Sequence, residues 1–181
     1  MRVITGTAKG LRLLTPEGQD VRPTPDRVKE GVFSAIQFEL EGRRMLDLFA
    51  GSGQMGIEAL SRGALSATFV DSKPQSIKLV EENLKNTGLS DKAKVVKKDF
   101  QSFIATDNGV YDIVFIDPPY AAGLFVPAIE KVQGLVSDYG VIICEHPIDV
   151  NLPETVGTFT TSKQYRYGKV CITLFRKEGT V

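Results

Sequence analysis

Residues 111–120, with the sequence YDIVFIDPPY, decide the fold of this chain. The four consecutive apolar residues at 113–116 predict a short strand, and a continuous apolar run is typical of a parallel sheet buried on both faces. Two prolines follow Asp117, and the strand has to end there because proline cannot donate to a β-ladder. The sequence therefore places Asp117 at the carboxyl end of a parallel strand, the edge where open α/β sheets bind ligands.

The corner after this strand offers a carboxylate at Asp117, a backbone carbonyl at Pro118 and an aromatic ring at Tyr120. Two acceptors can bind the two N–H bonds of an exocyclic amine while the ring stacks on the heterocycle that carries it. Asp-Pro-Pro-Tyr resembles the target-amine motif of amino-methyltransferases that use S-adenosylmethionine. An ordinary turn at a strand end remains the alternative, since Asp and Pro are common in turns.

Strand and helix patterns alternate from Arg43 to the end of the chain. Strands are predicted at 44–50, 66–70, from 93 to about 99, 113–116 and 141–144, and helices at 55–61, 75–86, after Phe100 and at 124–136. A closing hairpin is predicted from 159–167 and 170–175. This order predicts an α/β fold with a mostly parallel sheet and an antiparallel hairpin at one edge.

The residues before Arg43 predict an extension to this core. Residues 2–14 predict two short strands around Lys9-Gly10, a hairpin carrying Arg2, Lys9 and Arg12 that can contact phosphates. A proline-stiffened loop at 22–27 follows, in which Thr24 can cap a helix over about 25–40. We expect one domain, 1–181, made of the extension (1–20), the loop and helix (21–42) and the core (43–181).

A glycine-rich motif stands between the first strand and helix of the core. Gly51, Gly53 and Gly56 form the pattern Gly-x-Gly-x-x-Gly, and Asp71 follows Gly51 by 20 residues at the end of the second strand. The glycines permit a tight turn and close ligand contact, and the acid can bind ribose hydroxyls. The pattern predicts a cofactor with an adenosine half, and by itself it fits NAD as well as S-adenosylmethionine.

Further acids at strand ends favour the methyl donor. Asp47 precedes the glycines, where a carboxylate can bind an ammonium group but would repel a pyrophosphate. Asp99 and Phe100 follow the third strand and offer an acceptor for an adenine amino group beside an apolar surface. Taken singly, Asp47 and Asp99 are explained as well by cap or turn roles. Together with Asp117 they favour S-adenosylmethionine.

Composition limits the classes of protein and of site. With 181 residues, 42% hydrophobic and 24% charged, the chain is typical of a single globular domain. Its apolar runs fall short of the roughly 20 residues of a membrane span, and its start lacks a signal peptide's apolar core, so we expect a cytoplasmic protein. Cys144 and Cys171 stand in apolar runs, and with one histidine no metal site is expected. Zero net charge argues against nucleic-acid binding by bulk electrostatics alone.

Three motifs together resemble the bacterial 16S ribosomal RNA guanine-N2 methyltransferase family of the RsmD type. They are RPTPDRVKEGVF at 22–33, LDLFAGSGQMGIEALSRGA at 46–64 and DPPY at 117–120. Lys29 and Ser34 depart from the Arg and Asn typical of the family, and Gln54 from an apolar residue. The reaction class does not depend on these three positions, but how the first motif contacts substrate does.

The resemblance implies a Rossmann-like class I methyltransferase fold with a seven-stranded sheet, S-adenosylmethionine as donor, and one guanine of 16S rRNA as acceptor within a 30S particle. By position, the loop of Arg22 and Thr24 would cover the methionine end of the donor, and Asp71 would bind its ribose. The corner at 117–120, including Pro119, would hold the guanine. We expect a monomer without a DNA or membrane partner.

Other functions stay open at this point. A nicotinamide-dependent oxidoreductase shares the glycine motif. A methyltransferase could instead act on DNA adenine or cytosine or on a protein glutamine, and a non-catalytic RNA-binding module would bind rRNA without modifying it. Glu145 can line the substrate side, and His146 is either a base or a turn residue before Pro147.

Overall fold

The computed structural model describes residues 1–15, 24–120 and 123–179. The helices in these residues are α1 (Asp26–Ala35), α2 (Gln54–Ser61), α3 (Pro74–Thr87), α4 (Phe100–Thr106) and α5 (Phe125–Val132). The strands are β1 (Arg44–Asp47), β2 (Ser66–Asp71), β3 (Ala93–Lys97), β4 (Tyr111–Ile116), β5 (Val136–Pro147), β6 (Thr155–Val156), β7 (Phe159–Tyr167) and β8 (Val170–Lys177). None of the helices in these ranges is long and apolar enough to cross a membrane.

All eight strands of the described chain form one sheet in the order β3-β2-β1-β4-β5-β8-β7-β6. Neighbours from β3 to β5 are parallel, and β5, β8, β7 and β6 are joined by antiparallel pairs. The predicted fold class, a mostly parallel α/β sheet with an antiparallel closing hairpin, is confirmed. The count exceeds the expected seven by one, because the two-residue strand β6 pairs with the end of β7.

The chain reverses its direction of winding between β1 and β4, which lie side by side. Met45 pairs with Ile113 and Asp47 with Phe115, so the loops after these two strands emerge next to each other. This is the topological switch point, where ligands of open α/β sheets bind. The glycine motif follows β1 and the Asp-Pro-Pro corner follows β4, so both predicted sites share this edge of the sheet.

Two apolar cores lie on the two faces of the sheet, as expected for strands buried on both sides. One contains side chains of α1, α2, α3 and the amino-terminal residues, and the other contains those of α4 and α5. Cys144 and Cys171 are buried free thiols within the sheet, in agreement with their predicted role as small apolar residues.

Several predicted boundaries are wrong: β5 spans Val136–Pro147 where 141–144 is predicted, and α5 ends at Val132 where the predicted helix continues to 136. Strand β1 ends at Asp47, before the predicted residue 50, although Leu48 N–H still donates to Phe115 of β4 and Ala50 N–H to Val70 of β2. Helix α1 ends at Ala35, well before residue 40. It begins after Pro25 without a side-chain cap, so Thr24 does not cap it.

The amino-terminal residues are part of the main core. Arg2 and Arg12 form one isolated antiparallel bridge, where the sequence predicts two longer strands. Val3, Ala8 and Leu13 are buried in the core cluster that contains α1 and α2. The extension therefore packs as an integral part of the fold.

Polar contacts hold this segment from two helices. In α2, the buried Glu58 carboxylate accepts from the backbone N–H groups of Ile4 at 2.8 Å and Thr5 at 3.0 Å. In α3, the buried Asn83 amide accepts from Leu14 N–H at 2.7 Å and donates to the carbonyl of Ser52 at 2.9 Å. Since Ser52 lies between the motif glycines, Asn83 links the amino-terminal segment to the glycine turn.

Candidate active site

The glycine turn has the backbone geometry that the motif predicts. Gly51 and Gly53 have φ values of 55° and 77°, in the left-handed region that favours glycine. A Cβ on Gly56 would lie 2.3 Å from the Phe69 ring, so this glycine allows α2 to pack closely on β2. A Cβ on Gly51 would meet no atom within 4 Å, which leaves room for a ligand against that backbone.

Asp71 connects the ends of β1 and β2. Its carboxylate accepts from Gly51 N–H at 2.9 Å and from Lys73 N–H at 2.8 Å. The half-buried acid is thus fixed beside the glycine turn, where a ribose held at the end of β2 would meet it.

Asp47 lies buried at the end of β1 and accepts from Gly56 N–H at 3.2 Å. Burial raises its pKa to about 7, against the lowering effect of the Gly56 hydrogen bond, and the nearby Asp71 raises it further. The cap alternative for Asp47 is therefore partly correct, since it accepts from the first turn of α2. A buried carboxyl group with one hydrogen-bond donor also suits a cationic ligand beside it.

Asp117 and Glu145 are brought together by the register of β4 and β5. Ile116 pairs with Cys144, so the next residue of each strand carries an acid at the same level of the edge. Burial raises the pKa of Asp117 well above its usual range, and the charges of Glu145 and Asp47 add to this effect. Burial also raises the pKa of Glu145 to about 7, opposed by a hydrogen bond from Thr24.

Three carboxyl groups therefore lie near the switch point, those of Asp47 in β1, Asp117 just after β4 and Glu145 in β5. Carboxylates so close to one another repel, so a site that holds all three ionised requires a cation. This arrangement disfavours a pyrophosphate, which would add negative charge to the same place.

Thr24 is held at this edge from two sides. Its hydroxyl donates to the Glu145 carboxylate at 2.8 Å. With its amide oxygen turned towards Thr24, the Gln54 side chain accepts from Thr24 N–H at 2.7 Å. Glu145 and Gln54 thus join the site through Thr24, contacts that the sequence does not predict; the position of Gln54 next to Gly53 is the only local signal for its role.

Asp99 caps α4 and lies beside an aromatic pair. Its side chain accepts from Ser102 N–H at 2.9 Å, and this bond lowers its pKa. The Phe100 ring lies 5.4 Å from that of Phe49, a half-buried residue two positions after Asp47. The cap alternative for Asp99 is correct, and its carboxylate is exposed next to the buried Phe100.

The residues of the corner after β4 differ in their exposure. Asp117 is half-buried, Pro118 is buried, and Pro119 and Tyr120 are exposed. The Tyr120 ring, 45% exposed, lies 6.2 Å from that of Phe125 at the start of α5. The exposed part of an aromatic ring can stack on a planar group.

His146 has a structural role. Its Nδ1 lies 3.0 Å from the Pro147 carbonyl and its Nε2 lies 2.9 Å from the Thr173 hydroxyl. Burial lowers its pKa, so the ring is neutral and satisfied on both nitrogens. The hypothesis that His146 is a base has no support in this geometry.

The predicted phosphate-binding cations are separated by the structure. Arg2 and Arg12 lie together near the start of α1, where Arg2 Nε is 3.4 Å from the Asp26 carboxylate. Lys9 lies in the turn that packs on Ser61, at the far end of α2. Arg22 is outside the described residues.

Comparison with known proteins identifies the family of this chain. A family model described as "Conserved hypothetical protein 95" matches residues 1–176. The chain belongs to this family. "Putative rRNA methyltransferase YlbH" of Bacillus subtilis (strain 168) is 40% identical over 185 residues, covering 99% of this chain and 100% of the relative. "Ribosomal RNA small subunit methyltransferase D" of Escherichia coli (strain K12) is 32% identical over 181 residues, covering 99% and 91%.

A solved structure of a similar protein points to the same family. "Putative methyltransferase yhhF from Escherichia coli" is 33% identical, covers 98% of each chain and superposes with a TM-score of 0.88. The family predicted from the three sequence motifs is thereby confirmed, and so is the class I methyltransferase fold.

Proposed function

We propose that this chain transfers a methyl group from S-adenosylmethionine to the exocyclic N2 amine of a guanine in 16S rRNA, as a cytoplasmic monomer acting on the small subunit or its assembly intermediate. The observation that carries the proposal is the pairing of β1 with β4, which sets the glycine turn beside the Asp117 corner. The curated relative from Escherichia coli, named as a small-subunit rRNA methyltransferase, supports the choice of acceptor.

The residues around the switch point fit the proposed donor. S-adenosylmethionine supplies an electrophilic methyl group on a positively charged sulfur, and it carries an ammonium group. Asp47 offers a buried carboxylate to the positive charge, Asp71 acceptors to the ribose, and Gly51 and Gly53 a close backbone surface. Asp99 with Phe100 would hold the adenine, and Thr24 would close the methionine end.

The acceptor amine would be oriented by the corner after β4. Guanine N2 is a poor nucleophile because its lone pair is delocalised into the ring. The Asp117 carboxylate and the Pro118 carbonyl can accept its two N–H bonds and favour a pyramidal nitrogen whose lone pair points towards the donor side. Tyr120 and the flat face of Pro119 would hold the flipped base, with stacking worth about 1–3 kcal/mol.

Two physical effects would supply the rate enhancement. Alignment of amine and donor can contribute roughly 7–11 kcal/mol, because the translational and rotational entropy is lost on binding and not in the reaction step. The positive charge that develops on nitrogen is stabilised by Asp117 in a site of low polarity. Thr24 and Gln54 keep Glu145 in place beside Asp117 and so hold the negative charge at this edge.

Methylation of defined RNA tests the proposed function. Purified protein with S-adenosylmethionine is incubated with small subunits, free 16S rRNA, 23S rRNA or duplex DNA, and the digested nucleosides are analysed by mass spectrometry. We expect N2-methylguanosine from one position of 16S rRNA. Modification of DNA or of another base would favour a methyltransferase with a different acceptor. The absence of any modification of small-subunit substrates would contradict the proposed function.

Donor affinity should rise with pH. Asp47 and Glu145 both have pKa values of about 7, so each is partly protonated at neutral pH. A bound cation favours their ionised forms, so donor binding releases protons. Between roughly pH 5 and 8, the donor affinity should therefore increase with pH, by up to about tenfold per pH unit for each proton released. Calorimetry in two buffers of different ionisation enthalpy measures this release.

The control for this titration is the Asp47→Asn variant, which removes one titrating group from the donor side. Its affinity should be lower and should depend less on pH. S-adenosylhomocysteine, which lacks the sulfonium charge, should also show a weaker dependence. An affinity for S-adenosylmethionine that is flat across pH 7 would mean that these acids do not contact the positive charge.

A further inference from the structure

The hairpin between β7 and β8 ends at the same edge of the sheet as the Asp117 corner. Strand β8 runs antiparallel to β5, so that Pro147 at the end of β5 pairs with Val170 at the start of β8. The turn at Gly168 and Lys169 therefore lies at the carboxyl edge of the parallel strands. The carbonyl of Lys169 accepts from Ile148 N–H at 3.0 Å, which fixes the turn against the end of β5.

The pairing of the strands also gives the approximate distance between the backbone of Arg166 and the Asp117 corner. His146 of β5 pairs with Cys171, and Cys171 pairs with Arg166 on β7. Since β4 lies on the other side of β5, Arg166 is three strand spacings from the corner, or about 14 Å at about 4.8 Å per spacing. Phosphates of the nucleotides next to a base held at Asp117 fall within this distance.

Arg166 and Lys169, which we call the hairpin tip, carry two exposed positive charges. In residues 1–15, 24–120 and 123–179 neither side chain forms an ion pair. By contrast, Arg2 on the other side of the edge is paired with Asp26. The charge of the hairpin tip is thus more available to an external anion.

Exposed apolar side chains accompany the tip at this edge. Tyr120 follows β4 and Ile148 follows β5, with 45% and 43% of their surface exposed. Aromatic and apolar surface beside exposed cations is the combination that binds a single RNA strand, because bases stack on the former and phosphates bind the latter. A protein partner would gain less, since a tip of two cations offers it little apolar area.

We propose that the hairpin tip binds the phosphates of the RNA strand that flanks the methylated nucleotide. The inference rests on the proposed function, because the RNA is placed by the base held at Asp117. Arg166 can bind a phosphate with two parallel N–H bonds, while Lys169 acts as a point charge. The tip sets the affinity for RNA and does not take part in the methyl transfer itself.

The test compares two double variants that remove equal charge. Arg166→Ala with Lys169→Ala changes the tip, and Lys85→Ala with Lys131→Ala changes exposed lysines in the last turns of α3 and α5, at the opposite edge of the sheet. RNA binding is measured at several salt concentrations on the RNA that the wild type methylates. We expect the log of the RNA association constant to fall less steeply with log salt in the tip variant. The magnitude of the slope should decrease by about 1.4, because two phosphate contacts at about 0.7 each are lost.

Kinetics complete the test. The tip variant should show a KM for RNA that is roughly tenfold higher, with kcat and donor affinity within twofold of the wild type. The control variant should match the wild type in slope and KM. An unchanged slope in the tip variant, or an equal loss in the control, would overturn the inference while leaving the methylation itself established by the wild type. Failure of the wild type to methylate or bind RNA would overturn the proposed function.

Discussion

The Asp117→Ala variant should lose methyl transfer by at least about 100-fold, the range for removal of a group that acts in the reaction. Alanine removes one of the two acceptors for the amine and the charge that stabilises the developing cation. Turnover is measured with saturating donor on the RNA that the wild type modifies. Donor affinity, measured by calorimetry, should fall by less than tenfold, because Asp47 and Glu145 still provide negative charge at the switch point.

Asp117→Asn separates two roles of the carboxylate. The asparagine amide oxygen can still accept one N–H of the amine, but it carries no charge and takes no proton. We expect this variant to keep more activity than Asp117→Ala if orientation is the main contribution. Equal losses in the two variants would show that the charge or proton acceptance dominates.

The stability of the Asp117 variants serves as their control. Because burial raises the pKa of Asp117 well above its usual range, its ionisation opposes folding, and this cost appears as the pH rises through the raised pKa. Removing the group should therefore leave the free energy of unfolding at pH 8 unchanged or higher. Asp91→Ala, an exposed acid far from the site, should leave turnover intact. Near-wild-type turnover in Asp117→Ala would remove this residue from the mechanism.

The sequence predicts that Asp71 and Asp117 lie at strand ends because each stands at the end of a recognisable apolar run. Asp71 and Asp117 end strands whose apolar runs and following turn residues are visible in the sequence, and the glycine motif has a fixed spacing. Such signals are local, so one amino-acid sequence is sufficient to find them.

Contacts between distant parts of the chain could not be predicted in this way. Thr24 and Glu145 are 121 residues apart, and their hydrogen bond depends on how the residues before α1 are placed against the end of β5. The proximity of Asp117 and Glu145 depends on the register of β4 and β5, which shifts at an irregularity between Tyr111 and Ile113. Neither packing nor register of this kind is encoded in a local pattern.

The packing of the amino-terminal segment is even harder to predict from local sequence patterns. Its pattern indicated a small basic hairpin leaning on the domain, and its deletion would have been the obvious test of RNA contacts. The structure buries Val3, Ala8 and Leu13, whose spacing of five residues matches neither strand nor helix. Deleting the segment would expose core surface, so a loss of activity would report unfolding. Substitution of single exposed cations is the informative experiment.

Glu58 explains why this segment cannot be removed. Its carboxylate accepts from Ile4 and Thr5 N–H, lies 2.7 Å from Arg62 Nε and 3.6 Å from Lys29 Nζ. Lys29 in turn donates to the Arg2 carbonyl at 2.5 Å, and both charged side chains of the Lys29–Glu58 pair are fully buried. Burial lowers the pKa of Lys29, against the attraction of Glu58. One carboxylate thus satisfies two backbone donors and two cations.

Glu58→Ala should lower the free energy of unfolding by about 3–5 kcal/mol, the cost of leaving a buried charge without its partner. The backbone N–H groups of the half-buried Ile4 and the exposed Thr5 also lose their acceptor, which adds to the loss. Urea unfolding followed by circular dichroism measures it, with Glu82→Ala on the exposed face of α3 as the matched control, expected within about 0.5 kcal/mol of the wild type.

The double variant Glu58→Ala with Lys29→Met identifies the cause of that loss. If the unpaired charge of Lys29 is the main cost, replacing it with an apolar side chain of similar length should restore part of the stability, because an apolar pair needs no compensation for lost hydration. If the two orphaned N–H groups of Ile4 and Thr5 dominate, the double variant should be as unstable as Glu58→Ala. A loss below about 1 kcal/mol in the single variant would mean that water reaches the Lys29 ammonium, and that the amino-terminal segment is held by its apolar residues alone.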